Sequence, residues 1–301
     1  MSKIIVHIGL PKTATTTLQK EFFPNLDSEE ILYAGIYQPR SVNQRNLYKE
    51  LYKTIITGVG IKKVQGLIEK VFKEGRDVLI SEESIVVSEK AANWREKISN
   101  LYKILQPFEH QLLVSVREPV SASFSYYVEL YHNFRKLNKN FVDLVLQEES
   151  MEIFHYKTFF TYLFQYFNEQ DITVLKFEDI ITNSTIEAID IDNFDYSIAR
   201  NVKIKKHNAK KAGSGVVYQE HSSKIPLLKN FKNVFQKLGL FELIEGSFFE
   251  KTLKKFYNKF YSVEVNRQFK VEKPDEDKFI VLRNALKEET QYLKRNFNIV
   301  Y

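Results

Sequence analysis

The sequence predicts an α/β protein in three layers, a central parallel sheet flanked by helices, followed by a helical C-terminal part. Three observations predict it. Short apolar runs at 3–8 (KIIVHI), 77–81 (DVLIS), 111–116 (QLLVSV) and 172–177 (ITVLKF) have strand length, and a continuous apolar run fits a strand buried on both faces. Segments with helical spacing lie between them, and strands alternating with helices build a parallel sheet. Each run also ends in polar or charged residues: Lys12, Glu82 and Glu83, Arg117, Glu178 and Asp179. In open α/β sheets ligands sit outside the carboxyl ends of the strands, so these residues are expected along one edge.

In chain order, Gly9-Leu10-Pro11 breaks the first run, and Thr15 to Phe23 reads as a helix that stops at Pro24. Residues 44–57, 61–74, 90–105 and about 153–167 have helical spacing. After Arg117-Glu118-Pro119 the stretch VSASFSYYVELY is helical, with Pro119 as an early helical residue. Asp179 reads as the cap of a short helix after the fourth strand. Residues 203–215 (KIKKHNAKKAGSG) carry five lysines and no acid and read as a solvated loop. Residues 226–261, rich in Phe, Leu and Lys, read as helical. A last helix follows Pro274, capped by Asp275, with Phe279, Leu282, Leu286 and Leu293 on one stripe. No repeat or linker is visible. Residues 1–301 are therefore expected to form a single domain, with an α/β core over about 1–200 and a basic loop and helical part over about 201–301.

Composition excludes several function classes. The chain of 301 residues has no cysteine, which rules out disulfides, thiolate metal sites and cysteine nucleophiles. A hydrophobic content of 44% with only 10 Gly and 7 Pro argues for a packed core rather than disorder. The net charge of +6 is a mild preference for anionic partners and not a nucleic-acid signature. Lys12, Lys20 and Glu21 interrupt any leader-like stretch, and no segment approaches the ~18 apolar residues of a membrane span. The expectation is a cytoplasmic protein without nucleic-acid partners or transmembrane segments. Contact with a membrane surface stays open.

The stretch GLPKTATTTLQ, residues 9–19, is where chemistry is expected. A helix N-terminus presents unpaired N–H groups and a partial positive charge to an anion. Here it comes with Lys12 and the hydroxyls of Thr13, Thr15, Thr16 and Thr17. A nucleoside-triphosphate loop places its lysine directly before the Ser/Thr that holds magnesium. Lys12 instead follows Gly9 by three residues, and Ala14 stands where a second glycine is expected. The layout is P-loop-like without being that motif.

These residues resemble the phosphosulfate-binding loop of sulfotransferases, commonly P-K-[TS]-G-[TS]-[TS]-x-L. A second element of that family, an Arg at a strand end with a Ser eight residues on, is matched by Arg117 and Ser125 in VREPVSASFSYY. The resemblance is clear over 3–19 and 111–127 and thin after 200. It implies 3′-phosphoadenosine-5′-phosphosulfate (PAPS) as co-substrate, with no metal demanded. Pro11, Lys12, Thr13, Ala14, Thr15 and Thr16 would hold the phosphosulfate end, and Arg117 and Ser125 the 3′-phosphate. A guanidinium suits that task because it can donate two parallel hydrogen bonds to one phosphate. Ala14 departs from the loop glycine and costs roughly 1 kcal/mol if φ is positive there. Ala122 stands where many relatives carry a second basic residue.

The family chemistry implied is in-line transfer of a sulfuryl group to an acceptor hydroxyl or amine, with Lys12 as clamp on the leaving group. The acceptor expected is a carbohydrate or glycan precursor, and a tyrosine or small alcohol stays open. Glu83, in a Ser-x-Glu that matches Ser81-Glu82-Glu83, is the first candidate for general base. Glu82 and His7 are its rivals, and a histidine inside an apolar strand is more often a satisfied core residue. Two other classes stay in view: a P-loop kinase-like nucleotide enzyme, and a non-catalytic binder of polyanions or anionic membrane surfaces through the Lys/Phe-rich C-terminal third.

Overall fold

The structure is a computed structural model that describes residues 2–37, 41–42, 45–182, 216–226 and 262–301. The loop expected at 203–215 lies outside the described residues, and so does the helical stretch expected at 226–261 except for Pro226, which ends a strand. The described part contains, in order, β1 (Ile4–His7), α1 (Thr15–Thr17), β2 (Ile31–Tyr33), β3 (Ile36–Tyr37), β4 (Ser41–Val42), α2 (Arg45–Thr57), α3 (Ile61–Lys73), β5 (Asp77–Ser81), α4 (Trp94–Leu105) and β6 (His110–Val116). There follow α5 (Pro119–Glu129), α6 (Tyr131–Phe134), α7 (Phe141–Gln147), α8 (Tyr156–Leu163), β7 (Ile172–Lys176), α9 (Phe177–Thr182), β8 (Val216–Pro226), β9 (Ser262–Glu272), α10 (Glu276–Ala285) and α11 (Lys287–Phe297).

Five of these strands form one sheet in the order β2-β5-β1-β6-β7. Every neighbouring pair in it is parallel. The four strands read from sequence are all present. The fifth, β2, has only three residues, too few for a periodicity to show. Both faces are covered, as the continuous apolar runs require. Ile5, Leu79, Leu113 and Leu175 join Leu18, Phe22, Phe23 and Leu26 in one cluster, while Ile4, Val6, Val78, Ile80, Leu112 and Val114 are equally buried.

Local chemistry sets the helix starts. Asn93 and Glu96 form a reciprocal capping box at the head of α4, with both bonds at 2.9 Å. Trp94, the single tryptophan of the chain, is fully buried. Its ring packs 5.5 Å from Phe159 and 5.2 Å from Tyr162, and the Arg95 guanidinium lies 4.3 Å over it, which ties α4 to α8.

Three local expectations change. The helix after the loop does not stop at Pro24: α1 runs on as wider turns over Leu18–Phe22 and tighter ones over Phe23–Leu26, where Pro24 sits at the start of the last stretch. A proline costs nothing there, since the first turn leaves its N–H unpaired anyway. Helix α9 starts at Phe177, so Asp179 lies inside its first turn rather than ahead of it. The last helix is two, α10 and α11, broken at Leu286 (φ −96°, ψ 15°), and Asp275 occupies the N-cap position without a side-chain cap bond. Its predicted stripe is nevertheless buried at Phe279, Leu282, Leu286 and Leu293.

The chain divides into two compact units. The first comprises Met1–Tyr127, Asn138–Gly213 and Pro274–Tyr301, so α10 and α11 belong with the sheet. Phe279, Leu282 and Leu286 pack there with Val120, Phe141 and Val145, and Phe160 of α8 lies 4.6 Å from Phe297. The second comprises Val128–Leu137 and Ser214–Lys273. It holds an antiparallel ribbon in which β8 and β9 pair from Val216↔Glu272 to Pro226↔Ser262, and the Arg135 guanidinium stacks 4.5 Å over Phe269. That ribbon was not read from the sequence: its partners are brought together only across the intervening 227–261.

Candidate functional site

The carboxyl ends of β5, β1, β6 and β7 are neighbours in the sheet, so the polar residues after them share one edge. At the centre is the loop after β1. Main-chain bonds Ile8 N–H to Leu113 C=O (3.0 Å) and Leu10 N–H to Ser115 C=O (3.3 Å) extend its pairing with β6. The loop then turns through two left-handed residues, Lys12 (φ 69°) and Ala14 (φ 70°). Backbone amides that flank such turns form a concave anion cradle. Ala14 is also the N-cap of α1 and supplies no side-chain cap, leaving the first helical N–H groups without that partner.

Exposure along the loop alternates. Pro11, Thr13, Thr15 and Thr17 are buried, while Lys12, Ala14 and Thr16 are half-buried. The four hydroxyls expected to face an anion therefore divide. Thr13 turns inward, donating to the Leu10 carbonyl and lying 2.6 Å from Ser115 Oγ. Thr15 donates to the carboxylate of Glu83. Thr16 keeps partial access to solvent.

After β5 the two carboxylates point to different places, as successive residues at a strand end do. Glu82 is buried, accepts from the Tyr48 hydroxyl, and caps the next turn through Ser84 N–H at 2.8 Å. Glu83 is half-buried and held by Thr15 of the loop. The turn carrying both is anchored by Lys97, a fully buried lysine on α4. Its Nζ donates to the carbonyls of Ser84 (2.9 Å) and Val87 (2.8 Å) and pairs with Glu89 at 3.4 Å. Burial lowers the Lys97 pKa, and Glu89 opposes that shift.

After β6, Arg117 is half-buried and its guanidinium stacks 4.4 Å over the Phe177 ring. One Nη reaches the Lys12 carbonyl at 3.4 Å, so the arm of β6 touches the loop of β1. Its main chain is clamped by Tyr156, whose buried hydroxyl donates to the Arg117 carbonyl and accepts from its N–H at 3.2 Å. Burial lowers the guanidinium pKa, with Glu178 and Glu118 opposing. An arginine keeps its charge regardless. Glu118 caps α5 through Val120 N–H (3.1 Å) and Ser121 N–H (2.7 Å), which explains why it makes no side-chain pair with Arg117. Ser125 is half-buried further along α5, and Ala122 is fully buried, so a basic side chain there would have to enter the core.

His7 is fully buried behind the loop. Nδ1 lies 2.8 Å from Ser81 Oγ and Nε2 3.3 Å from Ser115 Oγ, and the ring packs 5.0 Å from Phe23. Desolvation lowers its pKa to about 3, so the imidazole is neutral at pH 7. Gly9 is required by this packing: a Cβ there would stand 2.4 Å from Ser115 Oγ and 2.5 Å from His7 Nε2.

The structure thus brings Lys12, Thr15, Glu83 and Arg117 to one edge and sets His7 and Thr13 beneath it. Sequence reading missed Tyr156, Lys97, Tyr48 and the serines 81 and 115 as supports. Only the serines carried a signal, as isolated polar residues in otherwise apolar strands. The loop backbone and the Arg117 guanidinium meet at this edge, joined by the bond to the Lys12 carbonyl. Among the described residues no cluster of three or more His, Cys, Asp or Glu forms a metal-ligand group, and no helix is long and apolar enough to cross a membrane.

No family model and no curated protein matches the chain. Among solved structures, it is similar to a sulfotransferase from Alicyclobacillus acidocaldarius, at 15% identity and a TM-score of 0.35, covering 58% of this chain and 73% of that one.

Proposed function

We propose that this chain is a sulfotransferase that moves a sulfuryl group from PAPS to an acceptor hydroxyl, most simply one on a carbohydrate or glycan precursor. The observation that carries the reading is the contact of Arg117 with the Lys12 carbonyl. It joins, at one sheet edge, the two elements whose sequences resemble the family's two phosphate-binding elements.

In this reading the backbone of 12–16 and the Lys12 ammonium hold the phosphosulfate end, and Lys12 stabilises charge on the bridging oxygen as the S–O bond to the nucleotide breaks. Arg117 holds the 3′-phosphate by charge-assisted hydrogen bonds, with Ser125 beside it on α5. Phe177 stacking and the Tyr156 clamp fix the guanidinium before the ligand arrives. Glu83 takes the acceptor proton as the acceptor oxygen bonds to sulfur. Its bond from Thr15 keeps the carboxylate at the loop. Positioning and charge neutralisation supply the catalysis, as in phosphoryl transfer.

Calorimetric titration with adenosine 3′,5′-bisphosphate tests the nucleotide half. Wild type is expected to bind, and Arg117→Ala to bind about 10- to 100-fold more weakly, the equivalent of the ~1.5–3 kcal/mol of hydrogen bonds to a charged group. No wild-type binding, or equal binding by the variant, overturns the reading. For the acceptor half, Glu83→Gln is expected to lower kcat at least about 100-fold with radiolabelled donor and a panel of sugars, phenols and small alcohols.

A further inference from the structure

The buried polar groups beneath the loop have a direction. Thr13 donates its only hydroxyl proton to the Leu10 carbonyl, so it must accept from Ser115. Ser115, its proton committed to Thr13, must accept from His7, which places the imidazole proton on Nε2. Nδ1 is then an acceptor and takes the Ser81 proton. Ser81 in turn accepts from the Gln19 amide at 3.2 Å. The result is a one-way chain, Gln19 to Ser81 to His7 to Ser115 to Thr13 to the Leu10 carbonyl. It crosses β5, β1 and β6, and every side chain in it is at most 3% exposed.

Two consequences separate this chain from a proton relay. Its last acceptor is a peptide carbonyl, which cannot take the proton onward. A protonated His7 would donate from both nitrogens, so the Ser81 hydroxyl would have to turn its proton away from Nδ1 and the direction of the chain would be lost there. What the chain can do is hold. Thr13 lies between Lys12 and Ala14, two residues with side chains in a left-handed conformation that costs roughly 1–2 kcal/mol each. Such geometry persists only where its surroundings over-determine it, and Thr13 is the side chain between the two strained residues that ties the loop to β6, beside the main-chain bond from Leu10.

We propose that His7 is a positioning residue: through Ser115 and Thr13 it holds the loop 9–14 in its strained form and so presents Lys12 and the loop amides to an anion. The last clause rests on the function proposed above, whereas the holding role does not.

Long-range imidazole nitrogen NMR on the wild-type chain, with His7 assigned by comparison with His7→Phe, reads the direction. The Nε2–H tautomer, unchanged from pH 8 to pH 5, is expected. A tautomer protonated on Nδ1, or titration with a midpoint above 6, overturns the proposal. Amide exchange then reads the holding role without reference to any ligand. His7→Phe keeps the ring against Phe23 and removes both bonds, so amides of 9–17 are expected to exchange at least tenfold faster relative to those of β6. Equal acceleration in both places would mean a general loss of stability and overturns the proposal. Should His7→Phe fail to fold, Ser115→Ala removes the same link one step later and is read the same way. Where wild type binds adenosine 3′,5′-bisphosphate, a cycle of His7→Phe and Thr13→Val reads coupling. The double variant is expected to lose no more affinity than the worse single one, and losses that multiply overturn the proposal. Absence of wild-type binding removes the enzymatic reading and leaves tautomer and exchange to decide this one.

Discussion

Ala14 shows how one residue can be flagged by sequence and still need the fold to be understood. Its place in the loop was visible as a departure from a glycine. Its φ of 70° was not, because that angle is set by Thr13, which is fastened to Ser115 across 102 positions. The strain predicts that Ala14→Gly stabilises the chain by up to about 1 kcal/mol, offset in part by glycine's freedom when unfolded. Differential scanning calorimetry is expected to show a Tm higher by a degree or two. A lower Tm would mean that the alanine is not strained. The same limit applies to the carboxylates. Sequence put Glu83 ahead of Glu82 by the match of Ser81-Glu82-Glu83 to a Ser-x-Glu, and the structure adds what each touches: Tyr48 and the Ser84 amide for one, Thr15 for the other.

At the scale of elements, β1, β5, β6 and β7 were legible because strands buried on both faces write themselves as apolar runs. Strand β2 is too short for that, and the β8–β9 ribbon pairs residues whose partners are distant in the chain. Strand β1 also carries a titratable group inside its pairing, with a measurable effect on stability. Unfolded, His7 has a pKa near the usual 6.5; folded, burial lowers it to about 3. Above pH 6.5 both states are neutral and the contribution is fully present. Between 6.5 and 3 the unfolded chain binds the proton and the folded one does not, so stability falls as pH falls, by at most about 1.4 kcal/mol per pH unit. His7→Phe has no such group. Urea midpoints at pH 7 and pH 4.5 are therefore expected to differ more for wild type than for His7→Phe, the shared carboxylates cancelling in the comparison. Equal differences would place His7 in contact with water.

For the molecule as a whole, the C-terminal helices close the first unit. The stripe on α10 and α11 was read from periodicity, but its destination, the Val120–Phe141–Val145 cluster and the face of α8, was not. Phe279 is the centre of that closure, buried with its ring 5.5 Å from Phe124 and 6.2 Å from Phe141. Phe279→Ala is expected to cost about 3 kcal/mol or more, seen as an earlier urea midpoint with an unchanged slope. A shift under about 0.5 kcal/mol would mean that the cluster holds without α10.

Trp94 gives all of these measurements a common instrument. Because the chain has one tryptophan, its intrinsic emission is a single-site signal from the seam between α4 and α8. The contacts of the indole with Phe159 and Tyr162 across the seam make that emission sensitive to any parting of the two helices. Tyrosines are the only other strong ultraviolet absorbers, and excitation at the red edge passes them by. A loop variant that exchanges its amides faster while the tryptophan spectrum stays fixed has opened locally. One that shifts both has come apart.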